Sequence, residues 1–169
     1  AMDPKVAYVA MHMLKGVCEP GFEISYYPTG WRTHVLERPR GGKTGTTNES
    51  RDAWFCGFTT AYTTIVWVGY RDNRPLGKGR DYTGGRLAAP VWVDFMLEAH
   101  EGLPVTDFEV PPDIEFHSID RLTGVAGGDY KEAFIKGTAP PAFWYGDIQA
   151  EEESLLVEET SEALLLEAL

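Results

Sequence analysis

Short runs of β-branched and aromatic residues give the middle of the chain its clearest pattern. Residues 53–59 and 63–70 form two such runs, and only three residues separate them. Runs of this kind joined by a short connection are typical of an antiparallel pair of strands. A third strand is predicted through Thr44, so that the three strands form a meander.

Apolar residues at helical spacing flank the predicted strands. Upstream, the helix-spaced positions are Val6, Val9, Met13, Leu14 and Val17, which predict a helix over 5–17. Downstream, a helix is predicted over 89–100, because Pro90 suits a first helical turn and Gly102 a stop. The glycine-rich segment 71–85 is predicted to be a loop between the last strand and this helix.

These elements predict a mixed α+β fold, in which helices 5–17 and 89–100 pack on an antiparallel sheet and the C-terminal segment is irregular. A chain of 169 residues is long enough for one domain with a hydrophobic core. We interpret residues 1–4 as an expression scar or linker and 5–102 as the folded part. Residues 103–146, which are rich in proline, are predicted to be an irregular extension, and 147–169 an acidic tail.

The charge of the chain narrows the choice of partners. A formal net charge of -11 argues against nucleic acid. Much of this charge lies in 147–167, where glutamates alternate with leucines. A disordered acidic tail is favoured there over a short amphipathic helix that docks on a partner.

The segment Gly41 to Asn48 carries the most informative chemistry, with the core sequence Lys43, Thr44, Gly45, Thr46. Lysine provides a compact positive charge with three hydrogen-bond donors. On a strand both threonine hydroxyls lie on one face, and the glycine between them leaves room for a ligand or a neighbouring backbone. The segment therefore suits a carboxylate ligand, and an exposed strand edge also suits an added peptide strand.

Two other interpretations compete for this segment. A phosphate-binding P-loop needs a glycine where Glu37 stands, and a helix rather than a strand should follow it. An ordinary hairpin with a solvated lysine is the simpler interpretation of a lone Lys-Thr-Gly. The neighbouring sequence favours a functional motif.

The remaining reactive residue types give no site. The four histidines share no metal-ligand spacing, so neither a metal nor a cofactor is predicted. Cys18 and Cys56 are candidates for a disulfide in an oxidising compartment, but a packed thiol is favoured for Cys56 because its strand is apolar. The tryptophans interpreted as core are Trp54, Trp67 and Trp92. We interpret Arg51 and Asp52 as capping or pairing residues beside the motif strand.

The order of the predicted elements and the sequence motifs within them resemble the C-terminal part of the transpeptidase domain of class A, bifunctional penicillin-binding proteins. The resemblance covers roughly residues 5 to 140 and rests on a conjunction of motifs: Ala7-Tyr8 with Met13 to Val17, Gly42 to Asn48, Asp52 to Thr59, Val66 to Tyr70, Thr83 to Gly85 with Ala88 to Trp92, and Phe134 to Pro140. It implies that residues 5–102 are the C-terminal part of that domain. It further implies a five-stranded sheet covered by helices on both faces, of which this chain supplies three strands.

The resemblance implies a peptidoglycan D,D-transpeptidase that cross-links stem peptides through a serine acyl-enzyme and binds β-lactams. Carried over residue by residue, Lys43 holds the substrate carboxylate, Thr44 and Thr46 donate hydroxyl hydrogen bonds to it, and Gly45 belongs to the same substrate-binding strand. The Thr46 backbone N–H is the implied oxyanion-hole donor and so the catalytic contribution of this chain.

Half of the family's active-site set is missing from the chain. The family needs Ser-x-x-Lys and Ser-x-Asn, and none of the five serines fits either motif. We therefore expect the nucleophile in an upstream part of the same protein and expect the isolated chain to be inactive. The resemblance implies a location at the periplasmic face of the inner membrane. No run approaches the roughly twenty apolar residues of a membrane span, so the anchor is expected outside this chain. A catalytically silent binding or assembly module that keeps the strand is the alternative.

Overall fold

The computed structural model describes residues 2–19, 28–120 and 123–140. The chain divides into two compact units, residues 1–114 and 115–169. The predicted acidic tail, 147–169, lies outside the described residues.

The first unit contains two helices and a three-stranded sheet. Helix α1 is Pro4–Lys15 and helix α2 is Gly84–Ala99, while the strands are β1 (Arg40–Thr46), β2 (Asp52–Thr59) and β3 (Thr63–Gly69). A 3-10 helix, Trp31–Leu36, precedes β1. The sheet has the order β1-β2-β3, with both pairs antiparallel. The predicted meander and the α+β class are therefore confirmed.

The core lies between α2 and one face of the sheet. Alternate residues of β2 are buried, as period-two patterning requires, and the central contact is Phe55 edge-on against Trp92 at a centroid distance of 5.2 Å. Both side chains are fully buried. Burial of large aromatic side chains is a dominant stabilising term, so this contact fixes α2 on the sheet.

The predicted start of α2 is wrong. The helix begins at Gly84, and Pro90 lies inside it rather than in its first turn. An interior proline removes one backbone hydrogen bond. The tertiary contacts that Gly84 and Gly85 make with the sheet outweigh this local preference.

Among the described residues, the second unit contains two strands that the sequence pattern did not predict, the first of which begins at Ile114, the last residue of the first unit. They are β4 (Ile114–Ile119) and β5 (Tyr130–Ile135), which pair with each other in a two-stranded sheet. Both lie in the segment 103–146 that was expected to be irregular. The irregular structure was predicted from the prolines of this segment, but the strands form in stretches between them.

Candidate functional site

The motif strand β1 lies at one edge of the described sheet, and its outward side has no strand partner among the described residues. The Thr47 N–H donates to the Asp52 carbonyl over 3.1 Å, which points the Thr47 backbone towards β2. Backbone direction alternates along an antiparallel strand. The N–H and C=O groups of Thr44 and Thr46 are therefore directed away from β2, to the open edge.

The Lys43 side chain lies on the face of the sheet opposite α2 and extends to the open edge of β1. It lies opposite Cys56 in the register, and its side chain is exposed. The Nζ donates to the Thr44 carbonyl over 2.8 Å. The ammonium therefore lies beside the outward-facing backbone of the strand.

The two threonine hydroxyls share the face covered by α2, and each has a defined partner. Thr44 Oγ1 donates to Thr29 Oγ1 over 2.9 Å. Thr46 Oγ1 accepts a hydrogen bond from the Gly84 N–H at 3.1 Å. A hydroxyl has one proton and two lone pairs, and no described residue accepts a hydrogen bond from Thr46 Oγ1, so its proton can serve a further acceptor.

The glycine pair at the start of α2 permits a very close approach of this helix to strand β2 and to Thr29, which precedes the motif strand. A Cβ on Gly84 would lie 2.1 Å from the Trp54 carbonyl oxygen, and one on Gly85 would lie 2.0 Å from the Thr29 carbonyl oxygen. Neither distance is possible for a real side chain. The sequence pattern gave these glycines no structural role, although Thr83 to Gly85 belonged to the motifs of the resemblance.

The turn between β1 and β2 forms a polar rim beside Thr46. Asp52 is held on both carboxylate oxygens, by Trp67 Nε1 at 2.8 Å and by Thr47 Oγ1 at 3.1 Å. Arg51 bonds the Glu49 carboxylate, 3.0 Å from its Nε, and also the Asn73 carbonyl. These contacts agree with a pairing role for Arg51 and Asp52. The rim residues line a cavity of about 500 Å³ next to Thr46.

Two tryptophans that were predicted to be core residues lie on the face of the sheet opposite α2. Trp54 is 38% exposed and Trp67 is 48% exposed, and their rings are 6.1 Å apart. That prediction is wrong for both, because period-two alternation places them opposite the face that α2 covers. It is confirmed for Trp92, which is fully buried.

The prediction for Cys56 fails for the same reason, and the candidate disulfide with Cys18 is not present. Cys56 is exposed, so the packed thiol predicted there is wrong, whereas Cys18 is buried and both thiols are free. Burial raises the pKa of Cys18, and this rise is opposed by a hydrogen bond with Thr33 and by the charge of Arg40. Cys56 lies directly opposite Lys43 in the register, on the sheet face that points away from α2.

Arg40, the first residue of β1, is a buried cation that fixes the start of the motif strand. It donates to Thr33 Oγ1 at 3.1 Å, to the Arg38 carbonyl at 3.0 Å and to the Cys18 carbonyl at 3.4 Å. Burial lowers the pKa of the Arg40 guanidinium. Three acceptors from separate segments offset the cost of burying this charge.

The described residues contain neither a metal-binding cluster nor a membrane-spanning helix. In 2–19, 28–120 and 123–140, no group of three or more histidine, cysteine or acidic residues is placed to hold a metal ion. Within the same ranges, neither long helix has the length and apolar character that crossing a membrane requires.

Comparison with known proteins gives a consistent set of relatives. The chain is 37% identical over 147 residues to penicillin-binding protein 1A of Pseudomonas aeruginosa, which covers 83% of the chain and 17% of that protein. It is 40% identical over 139 residues to penicillin-binding protein 1A of Escherichia coli, with 72% of the chain and 16% of that protein covered. The chain thus spans about one sixth of the length of these curated relatives. No protein-family model matches the chain.

A solved structure supports the same relationship. The crystal structure of penicillin-binding protein 1A from Haemophilus influenzae matches with a TM-score of 0.75 and 34% identity, over 85% of this chain and 22% of that one. The fold is that of part of a penicillin-binding transpeptidase domain, and the chain belongs to the class A penicillin-binding proteins. The relatives that it resembles are penicillin-binding proteins 1A.

Proposed function

We propose that this chain supplies the substrate-binding strand of a peptidoglycan D,D-transpeptidase. The observation that carries the proposal is the open edge of β1, where the Thr44 and Thr46 backbones face outward and the Lys43 Nζ lies 2.8 Å from the Thr44 carbonyl. A peptide could add to such an edge by main-chain hydrogen bonds, with nearby side chains selecting its end. The similarity to penicillin-binding proteins 1A supports the same assignment.

Lys43 is proposed to hold the terminal carboxylate of the acyl donor. Its ammonium is exposed and, among the described residues, contacts the Thr44 carbonyl. A carboxylate is a stronger acceptor for this cation than a carbonyl, because it carries a full negative charge. Thr46 has a free hydroxyl proton to add to this contact. Thr44 is the weaker candidate, since its proton already bonds Thr29.

The Thr46 backbone N–H is proposed as one donor of the oxyanion hole. An oxyanion hole needs fixed N–H groups aimed where negative charge develops. The outward direction of the Thr46 backbone meets this need, and the bond from Gly84 to its hydroxyl holds the residue in place. The second donor would be the backbone N–H of the nucleophilic serine.

The reaction would divide between this chain and an upstream part of the same protein that carries Ser-x-x-Lys and Ser-x-Asn. The serine oxygen would attack the amide carbonyl between the two terminal D-alanines, and the terminal D-alanine would leave with the proton taken from serine. An amine of a neighbouring stem peptide would then attack the ester and release the serine. β-Lactams would acylate the same serine as mimics of the donor. The reaction would occur at the periplasmic face of the inner membrane.

Labelling with a fluorescent penicillin tests the proposal against a catalytically silent binding module. We expect the complete native protein that contains this segment to form a covalent adduct, and the isolated chain to form none, because its serines lack a nucleophile motif. Intact mass after incubation measures both. A complete protein without an adduct would favour the silent module, and a penicilloyl mass on the isolated chain would show that the nucleophile lies within it.

A further inference from the structure

The loop between β3 and α2 has a charge opposite to that of the whole chain. From Arg71 to Arg86, a segment that comprises this loop and the first turn of α2, there are five cationic and two anionic residues, which gives a local net charge of +3 in a chain of net charge -11. A local excess of positive charge raises the concentration of anionic ligands near that surface. The position of this loop therefore matters for any anionic substrate.

Internal ion pairs leave three of the five cations available. Arg74 pairs with Asp72 at 3.8 Å and Arg86 with Asp81 at 2.8 Å. The other three are exposed and form no ion pair with another described residue: Arg71, Lys78 and Arg80. Their charges face solvent.

Hydrogen bonds fix this loop beside the motif strand at three points. The Leu76 N–H donates to the Ser50 carbonyl over 2.8 Å, and Arg51 bonds the Asn73 carbonyl. At the other end of the loop, the Gly84 N–H donates to Thr46 Oγ1. Lys78 and Arg80 lie between these ties and are therefore held near the turn that follows β1, while Arg71 lies two residues before the first tie.

The acidic residues of that turn are already engaged. Glu49 bonds Arg51, and Asp52 accepts hydrogen bonds from Trp67 and Thr47. Lys78 lines, together with Glu49 and Ser50, a cavity of about 430 Å³. Glu49 is compensated by Arg51, whereas the donors to Asp52 are neutral and leave it its charge, so the loop surplus of +3 is reduced to +2 beside the strand edge and is not cancelled.

We propose that Arg71, Lys78 and Arg80 form an approach surface that attracts a carboxylate-bearing peptide to the edge of β1. The identity of the substrate rests on the proposed function. The positive charge and its place near β1 follow from the sequence and the hydrogen bonds of the loop. A unit charge about 8 Å from a carboxylate in a water-like dielectric changes its local concentration roughly 2-fold. Three such charges together correspond to roughly 10-fold at low ionic strength.

The test uses the complete native protein and a penicillin that carries two carboxylates. The neutral variant combines Arg71→Gln, Lys78→Gln and Arg80→Gln, and the matched control keeps every charge with Arg71→Lys, Lys78→Arg and Arg80→Lys. At about 0.01 M salt the neutral variant should acylate roughly 10-fold more slowly than the parent, and the control should match the parent. The difference should vanish near 1 M salt, where the screening length is about 3 Å.

The outcomes separate the two proposals. A parent that acylates at the same rate as the neutral variant in low salt would overturn the role of the loop. A charge-conserving control as slow as the neutral variant would overturn it as well, since the loss would then not follow the charge. A parent that fails to acylate at all would overturn the proposed function itself.

Discussion

The Gly84 backbone N–H donates a hydrogen bond to the Thr46 hydroxyl over 3.1 Å and so joins the first residue of α2 to the last residue of the motif strand. The bond satisfies one of the N–H groups that a helix start leaves unpaired. It also sets the direction of the Thr46 hydroxyl. The position of a core helix and the geometry of the candidate site are thereby linked.

Gly84→Ala should lower the free energy of unfolding of the complete protein by about 1–3 kcal/mol, the usual cost of overpacking. The added Cβ would lie 2.1 Å from the Trp54 carbonyl oxygen on β2 and 2.6 Å from the Gly45 carbonyl oxygen on β1, so α2 must move away from both strands. Thermal and denaturant unfolding measure the loss. Arg86→Ala, at an exposed position in the first turn of the same helix, is the control and should cost under about 1 kcal/mol. An alanine at 84 that leaves stability unchanged would show that the helix start is not packed as described.

Thr47→Ala should affect stability more clearly than acylation. Its hydroxyl donates to the Asp52 carboxylate at 3.1 Å and accepts from the Asp52 N–H at 2.8 Å, but it lies outside the Lys43–Thr46 set. Loss of these bonds should cost about 1 kcal/mol, with acylation kept within about 5-fold of the parent. Thr47→Ser should restore stability because it keeps the hydroxyl. A much larger loss of acylation, with stability intact, would place Thr47 in the substrate site.

The two thiols should react at very different rates. Cys56 is exposed, whereas Cys18 is buried and its pKa is raised, so Cys18 remains a neutral thiol at pH 8. A thiol reagent should modify Cys56 in the folded protein and Cys18 only on unfolding, with Cys56→Ser as the control. The raised pKa also means that the neutral Cys18 stabilises the fold fully below the ordinary thiol pKa of 9.0, and that this contribution is lost as the pH rises through the folded value. Equal labelling of both thiols in the native state would contradict this arrangement.

The isolated chain should aggregate or remain partly unfolded, because apolar side chains are exposed on the sheet face opposite α2. Ile65 is 61% exposed beside the two half-exposed tryptophans, and contiguous patches of this kind promote association. Ile65→Thr should reduce aggregation measured by light scattering. Val66→Thr, on the same strand but packed against the core, should not. Cooperative, concentration-independent unfolding of the isolated parent chain would contradict the expectation.

The sequence predicted those parts of the fold that depend on local periodicity. The strands around Phe55 and Val66 followed from alternation and β-propensity, and the motif strand followed from Lys43 to Thr46. The start of α2 did not follow, because the contacts of Gly84 with β1 and β2 are tertiary and outweigh the local signal of Pro90. Trp54 and Trp67 were predicted to be core because hydrophobicity alone does not reveal which face of a sheet is covered.

The candidate site was predictable only in part, for a similar reason. The residue types of Lys43 and Thr46 indicated a carboxylate ligand, but the hydroxyl partners of Thr44 and Thr46 come from Thr29 and Gly84. These partners are 15 and 38 residues away along the chain, beyond the reach of a local pattern. The uncommitted proton of Thr46 is therefore a structural finding.

The Lys43→Ala variant of the complete native protein gives the most direct test of the proposed carboxylate clamp. Truncating one partner of a desolvated charge pair costs about 2–5 kcal/mol, so the second-order rate constant of β-lactam acylation should fall roughly 30-fold to several thousand-fold. Lys43→Arg, which keeps the charge but not the compact ammonium, should recover part of the rate. If Lys43→Ala acylates within about 3-fold of the parent, a difference under about 1 kcal/mol, Lys43 is only a solvated strand residue and the clamp is wrong.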